Sequence, residues 1–158
     1  MKLGWAKERY SKLGDELIKD HRVSYLLNSL KIAVAESRSI MIESGLSTLC
    51  EQCEVEEGGS CCGRGLEDRY SAGLLLINLM LNASLPEERY DESSCFFLGK
   101  KGCLLKARHA ICVSYICRKT KHLLDPDLLK LLQDNEGIEL DSVFRLNERI
   151  KILLRGLV

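Results

Sequence analysis

Residues 72–81 read AGLLLINLML, a run from Ala72 to Leu81 interrupted only by Asn78. It is too short for the ~20 apolar residues that span a bilayer, so the sequence places it inside a protein core. Gly63-Arg64-Gly65 precedes it and Pro86 follows, while Glu67 and Asp68 suit the positive end of a helix dipole. A helix over residues 66–85 is the consequence. Its polar positions Asp68, Ser71, Asn78 and Asn82 share one narrow stripe, which leaves most of the circumference apolar. That pattern marks the central helix of the fold.

The flanks carry the same period. Val23, Leu26, Leu27, Leu30, Ala33, Val34 and Met41 recur at three- and four-residue steps within residues 16–45, with Gly45 as a stop. Asp125-Pro126 reads as an N-cap followed by proline at the first helical position, with Leu128, Leu129, Leu131 and Leu132 on the buried face and Asn135-Glu136-Gly137 as the end. A last helix carries Leu140, Val143, Phe144, Ile150, Leu153, Leu154 and Leu157 inward, with Glu148 and Arg149 facing out. Only Ile111 to Ile116 looks like a strand, and one short strand makes no sheet. The expectation is a mainly α, single-domain helical bundle. Residues 1–49 form an N-terminal helical segment, 50–117 a cysteine-bearing core, and 118–158 C-terminal helices packed on the same domain.

Eight cysteines stand in that core, as Cys50-x2-Cys53-x7-Cys61-Cys62 and Cys95-x7-Cys103-x8-Cys112-x4-Cys117. Such a pattern is a disulfide framework or a soft-metal site. Stapled scaffolds are usually under ~80 residues and loop-rich, whereas this chain has 158 residues and 46% hydrophobic content. The N-terminus is charged throughout and lacks the ~7–15-residue apolar core of a secretory signal, which argues for the reducing cytoplasm. Metal binding is therefore favoured. The adjacent pair is the most discriminating element: neighbouring side chains diverge, so Cys61 and Cys62 serve poorly as two corners of one tetrahedron. They ligate different metals, grip parts of one multinuclear cluster, or divide into one ligand and one buried small hydrophobe. A redox role for Cys50-x2-Cys53 needs a βαβ context that the pattern lacks. Cys112-x4-Cys117 requires a bend, and Gly99 and Gly102 let the Cys95–Cys103 loop turn back.

Over about residues 50–117 the chain resembles the YkgJ-like family of zinc- or iron-chelating proteins with a CxxCxxCC cysteine cluster. Cys50, Cys53, Cys61 and Cys62 are similar to the first family motif. Cys95-Phe96-Phe97-Leu98, Gly102-Cys103-Leu104-Leu105, Arg108-His109-Ala110-Ile111-Cys112 and Tyr115-Ile116-Cys117 are similar to the other one. The Cys53 to Cys61 gap is longer than the family spacing, and His109 stands where proline is usual. The resemblance implies metal chelation by all eight cysteines. Some relatives with a similar cluster are flagellin lysine methylases, which are longer, and nothing here resembles their separate methyl-donor site.

All-thiolate ligation selects soft or borderline metals, and the adjacent pair puts an iron–sulfur cluster ahead of zinc. The expected function is a metal-binding protein with a structural, electron-transfer or metal-handling role, its two cysteine-rich loops converging on one metal centre. The alternatives are a metal-dependent methyl- or redox-transfer enzyme and a zinc-stabilised interaction module whose C-terminal helices from Asp125 dock a protein partner.

Arg108 matches the family motif and is the expected cofactor-binding cation. Lys100, Lys101, Lys119 and Lys121 read as solvated surface, as does the acidic set Glu51, Glu54, Glu56 and Glu57. His21 and His122 read as solvent-facing, and His109 as packing rather than as the base of a Cys–His nucleophile. With Lys and Arg balancing Asp and Glu at 23 each, no global field recruits nucleic acid or a membrane.

Overall fold

A computed structural model describes residues 2–57 and 61–156, apart from the side chains of residues 54–57 and 119. The expected places of Gly58, Gly59 and Leu157, and of the Glu54, Glu56, Glu57 and Lys119 side chains, lie outside the described residues. The architecture is mainly α, in one domain. Helix α1 (Lys2–Lys19) packs along α4 (Ala72–Met80), α2 (His21–Glu43) packs along α7 (Pro126–Gly156), and α4 also meets α7. One hydrophobic cluster runs through this frame from Ala6 to Ile150 and contains Leu17, Leu30, Leu76, Ile77, Leu105 and Leu146, each with essentially no exposure. Burying each such side chain contributes about 1.5–3 kcal/mol relative to leaving it in water. No helix among the described residues is long and apolar enough to cross a membrane.

The apolar spacing of α2 places Val23, Leu26, Leu27, Leu30, Ala33 and Val34 in the core. The expected single helix over 16–45 is instead two helices, because the Asp20 side chain accepts the Val23 N–H at 2.9 Å and starts α2 there. Gly45, at φ +75°, ends that region, as its freedom from a Cβ allows.

Four other expectations are corrected. Residues 46–57 form helix α3 (Leu46–Glu57) rather than a loop, so Cys50 and Cys53 are helical residues. The central helix is shorter than residues 66–85: Leu66–Arg69 is a separate 3-10 turn, and α4 starts where the Ser71 hydroxyl accepts the Leu74 N–H at 3.1 Å. It ends before Asn82, whose φ of +56° breaks the helical path. Ala110–Ser114 is a helical turn, α5, not a strand, because the His109 ring Nδ1 accepts the Ile111 N–H at 3.2 Å and caps it.

Helix α7, finally, continues through Asn135-Glu136-Gly137 without a stop. There the Asn135 amide donates to the Ala33 carbonyl at 3.0 Å and to Ser37 Oγ at 2.8 Å, tying α7 to α2 where an end was expected. Leu132 is buried as expected, but Leu131 and Phe144 are exposed, because the inward face of the continuous helix takes Asn135, Glu136, Glu139 and Ser142. Arg149 does not face out freely; its guanidinium pairs with Asp20 at 2.5 Å.

The strand content lies elsewhere, in a two-residue hairpin of β1 (Leu98–Gly99) and β2 (Gly102–Cys103), antiparallel with Leu98 opposite Cys103. Gly102, at φ +102°, makes the turn that Gly99 and Gly102 imply.

Candidate metal centre

None of the eight cysteines forms a disulfide. Their surroundings divide them in a way that the linear order does not. Cys95 is buried in the main hydrophobic cluster, and Cys62, Cys103 and Cys112 pack against that same cluster. Cys50 and Cys61 are exposed, and Cys53 and Cys117 half-buried. Leu49 and Ile116, neighbours of Cys50 and Cys117, pack against a second, smaller cluster of Ile40, Leu46, Leu124 and Leu132.

Three devices hold the inner group. The Cys95 N–H donates to the Cys62 carbonyl at 2.6 Å, and a bridge between Gly63 and Ser94 extends this pairing, with the Arg64 N–H on the Ser93 carbonyl at 2.8 Å. Next, Arg89 donates to the Ser94 carbonyl and to the half-buried carboxylate of Glu67, which fixes the approach to Cys95. The third device is Tyr70, whose hydroxyl donates to Cys112 Sγ at 3.5 Å and accepts the His109 N–H at 3.1 Å, while its ring packs edge-on to Phe97 at 5.1 Å. Burial raises the Tyr70 phenol far above its ordinary range, so it remains a donor at any physiological pH.

The outer group is held by helices. Cys50 and Cys53 stand three residues apart on α3, which puts their side chains on one face. This pair is a helical one rather than the tight-turn knuckle that C-x2-C suggests. Helix α3 packs on α6 (Arg118–Lys121), and Cys117 is the N-cap of α6. The Cys117 sulfur accepts the Thr120 N–H at 3.4 Å and lies 2.9 Å from the Thr120 hydroxyl. Between α5 and α6 the backbone at Tyr115 and Cys117 is extended, supplying the bend that Cys112-x4-Cys117 requires.

Electrostatics follows the same division. Burial raises the Cys50 thiol pKa, and the fields of Cys117, Cys61 and Cys53 raise it further; Cys61 is raised by burial and then by Cys117 and Cys53. Burial likewise raises Cys95, to which Glu67, Cys103 and Cys112 add, against the Phe97 amide. Cys103 is raised by burial and by Cys112, with the Leu105 amide, Arg108 and Arg38 opposing. Thiols crowded in this way resist ionising together, and a bound cation is what relieves the repulsion. Among the described residues no three Cys, His, Asp or Glu side chains converge closely enough to hold a metal ion as they stand. The donor type is that of a soft metal all the same, eight thiols with none consumed in a disulfide.

Arg108 acts electrostatically on both groups. Its field acts on Cys50 in one and Cys103 in the other, and its guanidinium rests 3.7 Å from Met41 Sδ. It also acts on Glu136 and Glu139, two carboxylates buried on α7. Burial pushes Glu136 up to about 7, against Arg108 and with Glu139 adding to the rise. Glu139 is raised by burial too, opposed by Arg108, Ser37 and Arg38. Neither Glu139 oxygen closes a hydrogen bond of normal geometry.

Of the remaining expectations, Lys100, Lys101 and Lys121 are exposed, as are His21, His122 and Glu51. His109 is a helix cap.

Sequence reasoning missed Tyr70, Glu136 and Glu139. Tyr70 carries no local signal, being one of five tyrosines. Asn135, Glu139 and Ser142 do carry one, since their i, i+4, i+7 spacing marks a polar stripe on an unbroken helix. No protein-family model, curated protein or solved structure matches the chain, so the family resemblance rests on the cysteine pattern itself.

Proposed function

We propose that this chain is a metal-binding protein that holds a soft metal through cysteine thiolates, as zinc or as an iron–sulfur cluster, in a structural, electron-transfer or metal-handling role. The observation that carries this reading is that eight thiols, none in a disulfide, divide by their packing and their mutual fields into two sets, with Arg108 and Arg38 among the cations acting on them. A tetrathiolate zinc site or an oxidised four-iron cluster bears a net charge of about −2, which such cations stabilise. Since ligation requires thiolates, metal binding must release protons and strengthen as pH rises. Because Cys61 and Cys62 have different neighbours, the adjacent pair no longer favours a multinuclear cluster, and zinc becomes an equal candidate.

A Cys–His nucleophile finds no support, because the Nδ1 of His109 already accepts the Ile111 N–H. Anaerobic purification followed by metal, sulfide and thiol analysis tests the proposal. Iron with acid-labile sulfide and broad visible absorbance identifies a cluster; stoichiometric zinc without colour identifies a zinc protein. Protein with intact thiols and no bound metal defeats both.

A further inference from the structure

We infer that the eight cysteines make two separate four-thiolate sites whose ligands interleave along the chain, an outer one of Cys50, Cys53, Cys61 and Cys117 and an inner one of Cys62, Cys95, Cys103 and Cys112, each for one soft metal ion or one small cluster. This assignment rests on the metal-binding reading proposed above and says which thiols act together.

The division point is Cys61-Cys62. Neither residue belongs to a helix or a strand; both lie in a bend, and their surroundings differ. Cys62 is tied by its carbonyl to the Cys95 N–H at 2.6 Å, and the Gly63–Ser94 bridge keeps the two segments side by side. It packs on the main core with Cys95, Cys103 and Cys112. Cys61, one residue earlier, is exposed. The other crossing is at Cys117. The extended backbone after α5 carries it away from Cys112, onto the helix that α3 packs against, and α3 carries Cys50 and Cys53 on one face. Four thiolates in each set supply the number that a closed tetrahedral zinc site or a cluster takes, with no cysteine left over, and since no three of the described donors converge as they stand, each set closes around its metal on binding. Arg108, whose field reaches Cys50 and Cys103, then stands as a shared counter-ion between two anionic centres.

Cobalt(II) added anaerobically to the reduced, metal-free full chain counts the sites through its thiolate charge-transfer band. Wild type is expected to take two equivalents. Cys50→Ser/Cys117→Ser is expected to keep one at wild-type affinity, since both changes fall in the outer set, whereas Cys61→Ser/Cys62→Ser, with one change in each set, is expected to weaken both. A Cys50→Ser/Cys117→Ser chain that binds no cobalt overturns the partition, as does a wild type saturating at one equivalent. Neither result touches metal binding itself. A reduced wild type that binds no cobalt tightly defeats the underlying reading instead. Cys50 is exposed and Cys117 half-buried, and circular dichroism of that pair variant verifies that it folds. Zinc, iron and sulfide assays on the same variants purified anaerobically report which metal each set holds.

Discussion

The Tyr70 hydroxyl donates to the Cys112 sulfur at 3.5 Å and accepts the backbone N–H of His109 at 3.1 Å, joining the turn before α4 to two residues of the Arg108–Cys112 motif. Tyr70→Phe keeps the ring against Phe97 but leaves the His109 N–H without its partner in a nearly dry site. The expected cost is about 1–2 kcal/mol, read from urea unfolding. In the proposed inner site Cys112 is a ligand, and a group that hydrogen-bonds a ligand also orients it, so on that proposal Tyr70→Phe weakens metal retention roughly 10- to 100-fold in a chelator competition. Unchanged values on both measurements would remove Tyr70 from the centre.

Asn78 does comparable work on the other side of the same loop. Its amide donates to the carbonyls of Leu74 at 2.9 Å and Ala107 at 2.8 Å, and its oxygen accepts the N–H groups of Lys106 at 2.8 Å and Ala107 at 3.0 Å. All four bonds are made by a side chain without solvent exposure. Asn78→Ala strands two donors and a carbonyl that water reaches poorly, and should destabilise the fold by about 2–4 kcal/mol. Asn78→Asp keeps the acceptor and, protonated at low pH, one of the two donor bonds, so it should there fall between alanine and wild type. Equilibrium unfolding of the three chains ranks them.

How much of this was legible depended on whether the signal was local. The apolar runs of α2 and α4 announced themselves, because periodicity follows directly from one-sided burial. Asn78 appeared as a polar stripe on an apolar helix, although its partners at residues 106–107 did not. The cysteine tetrads were legible as a donor set and illegible as a grouping. The proposed grouping rests on the Cys62–Cys95 pairing and the contact of α3 with α6, and neither leaves a trace in spacing. Asn135-Glu136-Gly137 misled, because turn-forming composition gave way to an anchor on α2 supplied 98 residues away by Ser37.

Gly137 tests that last point directly. It sits in the interior of α7 with no positive φ, and a Cβ built there meets nothing within 4 Å. Gly137→Ala should therefore stabilise the protein by roughly 0.5–1 kcal/mol, through helix propensity and a less free unfolded chain. A helix stop at this glycine would give the opposite sign. Thermal unfolding at matched pH decides between them.

Glu136 and Glu139 make stability depend on pH in an uncommon direction. Glu136 titrates near pH 7 in the folded chain against an ordinary 4.5, so between those values the folded state holds more protons than the unfolded one. Stability should fall as pH rises from about 4.5 to 7 and level off above. Glu139, Arg108 and Arg38 face the same buried space, with Ser37 the uncharged neighbour. Glu136→Gln removes the titrating proton and should flatten this segment of the profile, with the largest gain over wild type above about pH 7, on the order of 2 kcal/mol. Denaturation midpoints at pH 5, 6, 7 and 8 supply the test. An unchanged slope would mean that Glu136 is ionised and solvated throughout.

Metal removal should proceed in two stages, because the proposed sites differ in burial. Cys50 and Cys61 are exposed, and Cys53 and Cys117 lie on two helices joined to the frame by a small cluster. Cys95 is buried, and its three companions pack on the main core. A chelator should strip the outer set first, without loss of cooperative unfolding, because the main cluster built on α1, α2, α4 and α7 contains no residue of α3. Loss of the inner metal should follow more slowly and loosen the segment from Cys62 to Cys112, whose packing includes four thiols that would again repel as they ionise. Amide hydrogen exchange reads the two stages separately: protection lost first in α3 and α6, and only later at Cys95, Leu98 and Leu105. Simultaneous loss in both regions at one chelator concentration would mean a single centre.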